Sequence, residues 1–495
     1  MSHSPPRCGG TEKTKTRFSR PRSALCARVL TLVLLFSASL CLCGEIKASP
    51  YAVDWSKLEP EILDHFTTLL RIDTTNPPGN ETRAAQAIES ILQREGIPAR
   101  LFALEASRAN LVARIKGNGS NRPILLLGHT DVVGVQRERW SVDPFAAVRK
   151  NGLIYARGAN DDKDHVVAGL MVLLELQRRH VKLNRDVIFL AEAGEEGTPR
   201  VGIDYMVNRH WPEIEAEYAL AEGGSVLEDN DRVHHALITV SEKVPRGVRL
   251  IAHGPAGHGS RPVRENAVAH LAAAIARVAQ WQTPVRLNEA TRAYFERLAA
   301  ISPPHEAARY RDVLDPARIQ QADRYFYKHE PGHYTMLRTS VTPTMIQAGF
   351  RANVIPSRAE GYLDIRALPD EDMSRFLAEL AHVINDPAIE IVPAWNGAGA
   401  RPAAPPSRID TPMFRTLESV TRRMFDAPTL PAMLAGATDC AQLRVKGVSC
   451  YGFGPIAGSD GPLGGAHGDD ENISISSLMK LVEFLWNTVI QIAAE

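Results

Sequence analysis

A short apolar run that ends in polar residues decides the fold. Residues 124–131 read Ile124-Leu125-Leu126-Leu127-Gly128-His129-Thr130-Asp131. Four consecutive large apolar residues predict a strand that is buried on both faces, as in a largely parallel sheet. The run therefore predicts part of the core, and the histidine and aspartate at its end are candidates for a functional site.

Three further apolar runs end in the same way. They cover residues 187–190, 218–221 and 448–453, and helical segments such as 166–179 lie between them. Short buried strands that alternate with helices indicate an α/β fold. Ligands bind beyond the carboxyl ends of the strands in such sheets. The residues that follow the four runs therefore predict one shared site: His129 and Asp131, Glu195 and Glu196, Glu222, and His467.

The stretch from 243 to 399 has a different pattern. It reads strand, helix, strand, strand, helix, strand, which predicts a ferredoxin-like βαββαβ domain inserted into the α/β domain. A charged, aromatic segment at 287–337 interrupts this pattern and predicts added helices. The proline-rich residues 401–407 predict a linker that returns the chain to the α/β domain. The predicted domains are 51–242 and 400–495 for the two parts of the main domain and 243–399 for the insertion.

The N-terminal residues 1–48 have the composition of a targeting segment. Basic residues such as Lys13 and Arg17 precede an apolar run, Val29–Cys43. That run is shorter than the roughly 20 residues that a membrane-spanning helix needs. Together with small residues around Ala48, it predicts an export signal and leader, and thus a periplasmic or secreted protein. The alternative is an uncleaved signal that anchors the protein to a membrane.

Charge and cysteine content exclude several classes of function. Lys and Arg together number 57, as do Asp and Glu, so no net positive charge favours nucleic acid. Four of the six cysteines lie in the predicted leader, which leaves Cys440 and Cys450. These two do not form a zinc-thiolate pattern, and the sequence leaves open whether they form a disulfide.

The residue types at the strand ends suit a metal site. Two imidazoles with several carboxylates suit zinc better than calcium or magnesium. His129 and Asp131 are two positions apart, so in an extended segment Asp131 can accept a hydrogen bond from the His129 ring. Alone, such a pair is far more often a hydrogen-bonded pair on the surface than part of a metal site. Asp161 precedes a predicted helix, where it could bridge two metal ions or simply cap that helix.

The adjacent glutamates Glu195 and Glu196 predict hydrolytic chemistry. Adjacent side chains diverge at a strand end, so one can bind metal while the other faces the substrate. A carboxylate beside a metal-activated water can act as a general base. The alternative is a solvated acidic turn.

An ordered set of motifs resembles one known family. The segments are Gly128-His129-Thr130-Asp131, Arg157-Gly158-Ala159-Asn160-Asp161-Asp162-Lys163, Glu195-Glu196-Gly197, Glu222-Gly223-Gly224, Gly257-His258-Gly259-Ser260, Asn353-Val354-Ile355-Pro356, Asp364-Ile365-Arg366, Gly436-Ala437-Thr438-Asp439 and Ala466-His467-Gly468. They resemble the zinc-dependent aminoacylase, carboxypeptidase G and succinyl-diaminopimelate desuccinylase superfamily. The form of the chain looks most similar to its carboxypeptidase S and N-acyl-amino-acid hydrolase branch.

The resemblance implies roles for individual residues. It implies two zinc ions per chain, for which cobalt or manganese can substitute, and a homodimer formed through the inserted domain, which would act as a lid. The implied ligands are His129 and Glu222 for one ion, Glu196 and His467 for the other, and Asp161 for both. The other implied roles are Glu195 as general base and acid, Asp131 as the residue that orients His129, His258 as an oxyanion donor to the partner's site, and Arg366 and Asn353 as the groups that bind the substrate carboxylate.

The implied activity is hydrolysis of an amide bond next to a free carboxylate in small peptides or N-acyl amino acids. Within the family, the alternatives are a dipeptidase, an aminoacylase and an N-fatty-acyl-amino-acid hydrolase. Outside it, they are a catalytically silent binding protein, and a metal-dependent esterase or phosphatase. The chain departs from many relatives at Gly194, where they have an acidic residue, and at Asp164-His165, where they have small ones. These departures leave the substrate open.

Overall fold

The computed structural model describes residues 51–229, 232–395, 400–458 and 465–495. The predicted export segment, residues 1–48, lies outside the described residues. Residues Val53–Glu495 form one unit. Each helix of the described residues is too short or too polar to span a bilayer.

The helices largely occupy the segments predicted from apolar periodicity. In chain order they are α1 (Trp55–Leu70), α2 (Glu81–Arg94), α3 (Lys163–Arg178), α4 (Ile203–Arg209), α5 (Trp211–Ile214), α6 (Ala267–Gln280), α7 (Glu289–Ile301), α8 (Pro304–Asp312), α9 (Ile319–His329), α10 (Pro331–Met336), α11 (Met373–Ile384), α12 (Pro412–Phe425), α13 (Cys440–Val445) and α14 (Ile475–Ala493).

The strands form two larger sheets and two small ones. In chain order they are β1 (Ala99–Ala103), β2 (Ala109–Ile115), β3 (Ile124–His129), β4 (Val148–Lys150), β5 (Leu153–Tyr155), β6 (Val187–Glu192), β7 (Tyr218–Ala221), β8 (Ser225–Asp229), β9 (Arg232–Glu242), β10 (Val244–Pro245), β11 (Val248–His253), β12 (Gly257–His258), β13 (Ser340–Ala348), β14 (Val354–Ile355), β15 (Arg358–Ala367), β16 (Ile389–Pro393), β17 (Thr429–Leu434), β18 (Ser449–Gly452), β19 (Ile456–Gly458) and β20 (Asn472–Ser474).

The four apolar runs of the sequence are neighbours in the larger sheet. The sheet has the order β1-β2-β6-β3-β7-β18-β9-β8-β19, and β17 pairs with β9. The strands β6, β3, β7 and β18 are mutually parallel, whereas β1, β2 and β8 join through antiparallel pairs. The sheet is therefore mixed, with a parallel centre. Its parallel strands present their carboxyl ends at one edge.

Helices cover both faces of the parallel centre, which explains the continuous apolar runs. Leu125 and Leu127 share a buried cluster with residues of α4 and α13. Leu126 points the other way, towards α3, where a Cβ added at Gly169 would lie 2.8 Å from the Phe189 ring. Glycine at that position therefore lets α3 approach the sheet closely. The predicted α/β fold is confirmed.

The inserted region contains a second sheet. Its strands β13, β15, β11 and β16 are neighbours in that order, and β10 extends the β11 side of β15. Helices α6 and α11 pack against it and share a buried core with the strands. The order of elements is βαββαβ. Strand β13 begins at Ser340, five residues earlier than the predicted start at Met345, because its pairing with β15 continues to Arg366.

The added helices α7–α10 lie on the main sheet. Their aromatic residues Phe295, Tyr310 and Phe326 form a cluster with Leu430 of β17, and Leu237 of β9 packs against it. The sequence places this segment within the insertion, but its packing partner is the main domain. The apolar helix faces need a surface to cover them, and the β9–β17 region supplies it.

A disulfide joins the last helix before β18 to that strand. Cys440 and Cys450 are both buried, and their Cα atoms lie 5.5 Å apart. The bond closes a loop with a sequence separation of 10. It thus holds α13 against the strand that is next to β7.

Replacing both cysteines with alanine is expected to lower the free energy of unfolding by roughly 3 kcal/mol, because a short loop is no longer closed in the unfolded chain. Urea unfolding at equilibrium measures the loss. Wild-type protein in a reducing agent is the matched control, since it lacks the bond but keeps both side chains, and it should show a comparable loss. An unchanged midpoint in both samples would contradict the disulfide.

Candidate metal centre

The candidate centre lies at the carboxyl edge of the parallel strands. His129 is the last residue of β3, and Glu222 comes directly after β7. Glu195 and Glu196 follow β6, while Asp161 lies in the loop before α3. The edge brings these side chains together because parallel strands end on the same side of a sheet.

A first group consists of His129, Asp161 and Glu222. The His129 Nε2 atom lies 3.0 Å from Asp161 Oδ1 and 3.9 Å from Glu222 Oε1. One ligand atom from each of the three residues lies within 4.8 Å of the others. The imidazole is buried, and Asp161 is nearly so.

A second group consists of Asp161, Glu196 and His467. The His467 Nε2 atom lies 2.9 Å from Glu196 Oε1 and 3.2 Å from Asp161 Oδ2. Asp161 therefore belongs to both groups, with one carboxylate oxygen directed to each. That is the arrangement of a carboxylate placed between two cations.

The orientation of the His129 ring leaves one nitrogen available. Its Nδ1 donates to the main-chain oxygen of Asp131 at 3.0 Å, and the Asp131 carboxylate is farther away, at 3.5 Å. The nearer acceptor is thus the main-chain oxygen of Asp131 and not its carboxylate, which the spacing in the sequence predicts. Either contact holds the proton on Nδ1, so the lone pair of Nε2 faces Asp161 and Glu222.

The Asp131 carboxylate holds the turn that carries the glutamate pair. It accepts hydrogen bonds from the backbone N–H groups of Gly194, Glu195 and Glu196, at 2.9, 3.1 and 3.1 Å. The Asn76 side chain donates to it as well, at 2.8 Å. These hydrogen bonds and His129 outweigh complete burial and lower the Asp131 pKa. Sequence reasoning missed Asn76, because its segment shows only a proline-rich turn.

The departure at Gly194 has a conformational reason. Gly194 has φ +83°, and a Cβ there would lie 2.6 Å from both the Thr198 oxygen and Val201 Cγ2. Glycine adopts this backbone conformation without a steric penalty. A larger residue would displace the turn and with it the adjacent Glu195.

Residues that the sequence analysis did not single out hold the loop of Asp161. The buried Glu471 accepts hydrogen bonds from the backbone N–H groups of Gly158 and Asn160, and it pairs with Arg157 at 2.6 Å. Asp162 stands at the N-cap of α3 without a side-chain capping hydrogen bond, and its carboxylate accepts a hydrogen bond from the His129 backbone at 3.1 Å. The Asp161 carboxylate faces His129 and His467 and not the helix, so the capping alternative for Asp161 is wrong. The loop is tied to β3 through Asp162.

Glu195 pairs with a guanidinium from the predicted linker. Arg401 contacts the Glu195 carboxylate and main-chain oxygen, and it binds Asp439 at 2.8 Å. Burial raises the pKa of Glu195 to about 8, although Arg401 opposes the shift. The linker therefore contributes to the site. Its proline content indicates an irregular segment but not the position of one arginine.

The residues expected to bind substrate lie apart from the two groups. His258 and Asn353 are exposed and lie on or beside the short β12–β14 pair, and the His258 Nδ1 accepts from Ser260. Arg366 on β15 pairs with Asp364 at 3.0 Å. Among the described residues, none of the three forms a hydrogen bond or ion pair with the groups around Asp161.

The charges of the centre fit a pair of cations. Burial and the neighbouring carboxylates of Asp161 and Asp162 raise the pKa of Glu222 well above its ordinary value. Hydrogen bonds to Asp161 and Glu196 raise the pKa of His467 to about 10. Protons are thus held where cations would displace them. Nitrogen and carboxylate donors in two groups that share Asp161 fit two ions of the zinc type.

A second cluster of acidic and histidine side chains does not have the arrangement of a cation site. Asp162, Asp164 and His165 are buried, and the His165 Nδ1 lies 2.6 Å from Asp162. The other ring nitrogen donates to the Phe453 main-chain oxygen at 2.9 Å. Both ring nitrogens are therefore engaged within the protein, and the cluster supports the loop before α3.

Known proteins with similar sequences and folds place the chain in a family. The model of peptidase family M20/M25/M40 matches residues 125–491. The human N-fatty-acyl-amino acid synthase/hydrolase PM20D1 is 27% identical over 377 residues, 75% of this chain and 74% of the relative. A probable carboxypeptidase S-like 2 from Dictyostelium discoideum is 26% identical over 398 residues, 77% of this chain and 74% of that protein.

Solved structures share the fold. The M20 family metallo-carboxypeptidase Sso-CP2 from Sulfolobus solfataricus has a TM-score of 0.66 at 20% identity, over 87% of this chain and 98% of its own. The resemblance inferred from the motifs is therefore confirmed. The chain belongs to peptidase family M20/M25/M40, and it is a hydrolase of peptide or other linear amide bonds.

Proposed function

We propose that this protein uses two zinc ions to hydrolyse the amide bond next to a free carboxylate in small peptides or N-acyl amino acids. The observation that carries the proposal is the position of Asp161, whose two oxygens face His129 and His467 at 3.0 and 3.2 Å. Glu195 lies beside the proposed ligand Glu196 and supplies the general base that hydrolysis needs. The names of the relatives support acyl amino acids and peptides as the substrate classes.

Different residues of the chain carry out different parts of the hydrolysis reaction. Bound zinc would supply Lewis acidity and lower the pKa of water to near neutrality. Glu195 takes the proton of the attacking water and returns it to the leaving amine, as a general base and then an acid. Arg401 keeps the Glu195 carboxylate in place through its ion pair. Asp131 holds the backbone on which both glutamates stand.

The partly or fully exposed residues Arg366, Asn353 and His258 of the insertion suit a substrate that contacts two subunits at once. We propose that Arg366 and Asn353 bind the substrate carboxylate. His258 would donate a hydrogen bond to the oxyanion in the partner subunit's site of a homodimer. The exposure of His258, whose side-chain hydrogen bonds among the described residues are to Ser260 and not to Asp161, supports this proposal. An Arg guanidinium binds a carboxylate with two parallel hydrogen bonds.

We further propose that the protein is exported. The support is the basic and apolar pattern of residues 1–48 and the disulfide between Cys440 and Cys450. Disulfides persist mainly in oxidising compartments.

Replacing Glu195 with glutamine is expected to lower kcat by about a hundredfold to ten-thousandfold, because the amide cannot accept the proton. Metal content, measured by mass spectrometry of the metals, should stay at two ions per chain. Glu483→Gln in α14, whose partly exposed carboxylate pairs with Lys480, is the matched control and should keep wild-type activity. Full activity of the Glu195 variant would contradict the general-base role, and a wild-type protein inactive on every amide would favour the silent binding protein.

Replacing His467 with alanine is expected to reduce the zinc content from two ions to one per chain, because only one of the two groups loses a ligand. Metal analysis after dialysis against a buffered zinc solution measures this. His305→Ala, which removes an exposed imidazole of α8, should retain both ions. Two tightly bound ions in the His467 variant would show that this residue is not a ligand.

A further inference from the structure

A large cavity is lined by the residues that come directly after Glu222 in the chain. It has a volume of about 640 Å³ and lies between helices α7, α8 and α10 and the strands β9 and β17. Gly223, Gly224 and Ser225 form one side of it. They follow directly after Glu222, whose Oε1 lies 3.9 Å from His129 Nε2. The cavity therefore starts one residue from the first group of candidate ligands.

The wall of this cavity is mainly apolar. Its side chains include Leu237, Met336, Met433 and Leu434, together with the faces of two tyrosines. Methionine is unbranched and flexible, so it adapts to chains of different shape. A wall of this kind favours an apolar ligand group over a peptide backbone, whose polar atoms need partners when buried.

Three polar side chains of the wall, Tyr294, His333 and Glu330, are hydrogen-bonded to one another. His333 Nδ1 donates to Glu330 at 2.6 Å, and the Tyr294 hydroxyl donates to His333 Nε2 at 2.9 Å. Arg309 binds Glu330 at 2.6 Å. This chain of bonds occupies the donors of Tyr294 and His333, and it places the carboxylate of Glu330 in the wall. A substrate carboxylate gains nothing there, so the carboxylate end of a substrate has to lie elsewhere.

We infer that this cavity binds the acyl chain of N-acyl amino acids and makes long-chain acyl groups the preferred substrates. The inference rests on the proposed function, because the scissile amide has to lie at the centre beside Glu222. Ligand cavities typically measure about 300–1,000 Å³, so this volume suits a long chain, whereas an acetyl group would leave most of it empty. Each methylene that enters the cavity is expected to raise kcat/KM about fourfold.

If the cavity binds the acyl chain, the helices α7–α10 have a role in substrate binding. They cover the β9–β17 region and supply the tyrosines and Met336 of the wall. The rest of the wall comes from the main sheet. The insertion therefore adds an acyl-binding wall to a catalytic edge that would otherwise be open on that side.

Kinetics with one amino acid and acyl chains of increasing length test the inference. The zinc-loaded full chain is assayed with N-acetyl-, N-octanoyl- and N-dodecanoyl-leucine, each below its micelle concentration. We expect kcat/KM to rise by at least a hundredfold from acetyl to dodecanoyl, since several methylenes at about fourfold each contribute. A preference for acetyl, or equal values along the series, would overturn the inference while leaving the proposed function intact. No hydrolysis of any of them would instead remove the proposed function.

The variant Gly332→Phe obstructs the cavity. Gly332 lines it, and a Cβ at this position meets nothing within 4 Å, so the backbone can accept a side chain. We expect kcat/KM for dodecanoyl-leucine to fall at least tenfold and that for acetyl-leucine to change less than twofold. Ala308→Phe on the exposed side of α8 is the matched control and should leave the profile unchanged. An equal loss on both substrates, or none on the longer one, would overturn the inference.

A binding measurement keeps the test independent of catalysis. Dodecanoate, the acyl product, is titrated by calorimetry into the zinc-loaded wild-type chain and the zinc-loaded Gly332→Phe chain. We expect at least tenfold weaker binding to the variant. The Met336→Ala variant widens the wall and should move the preferred acyl length upward. Equal affinities for dodecanoate in wild type and Gly332→Phe would contradict the assignment of the cavity.

Discussion

The carboxylate of Asp131 is the interaction on which the candidate centre depends. It is completely buried, and it accepts the three backbone N–H groups of residues 194–196. The main-chain oxygen of the same residue sets the His129 ring. One residue just beyond β3 therefore aligns a candidate ligand on that strand and the glutamate pair that follows the neighbouring strand β6. A buried carboxylate is tolerated at this position because each of its oxygens has donors.

The rest of the centre contains several buried carboxylates whose negative charges have to be offset. Asp161, Glu196 and Glu222 converge with Glu195 nearby, and burial makes this unfavourable unless cations compensate. The arginines Arg157 and Arg401 lie just outside and pair with Glu471 and Glu195. These ion pairs hold the supporting loops without occupying the space between the two groups. The centre is thus stabilised from outside, while its interior is left for the metals.

The helices α7–α10 show how inserted helices can reshape the surroundings of a site without supplying any of its candidate ligands. They enter the chain within the βαββαβ domain but pack on the β9–β17 part of the main sheet. In doing so they form one wall of the open cavity whose other side includes the residues that follow Glu222. The polar chain from Tyr294 through His333 to Glu330 satisfies the hydrogen-bonding groups of that wall. An apolar interior follows from this packing.

The sequence by itself determined the α/β class, the four parallel strands and the candidate ligands at their ends. These follow from local patterns: continuous apolar runs need two covered faces, and polar residues directly after such runs lie at one edge. Only the tertiary structure decided that Arg401 contacts Glu195, that Glu471 supports the Asp161 loop and that α7–α10 cover the main sheet. Those contacts join residues far apart in the chain across irregular segments. Which residues become partners depends on how the whole chain packs, and no local pattern in the sequence indicates that packing.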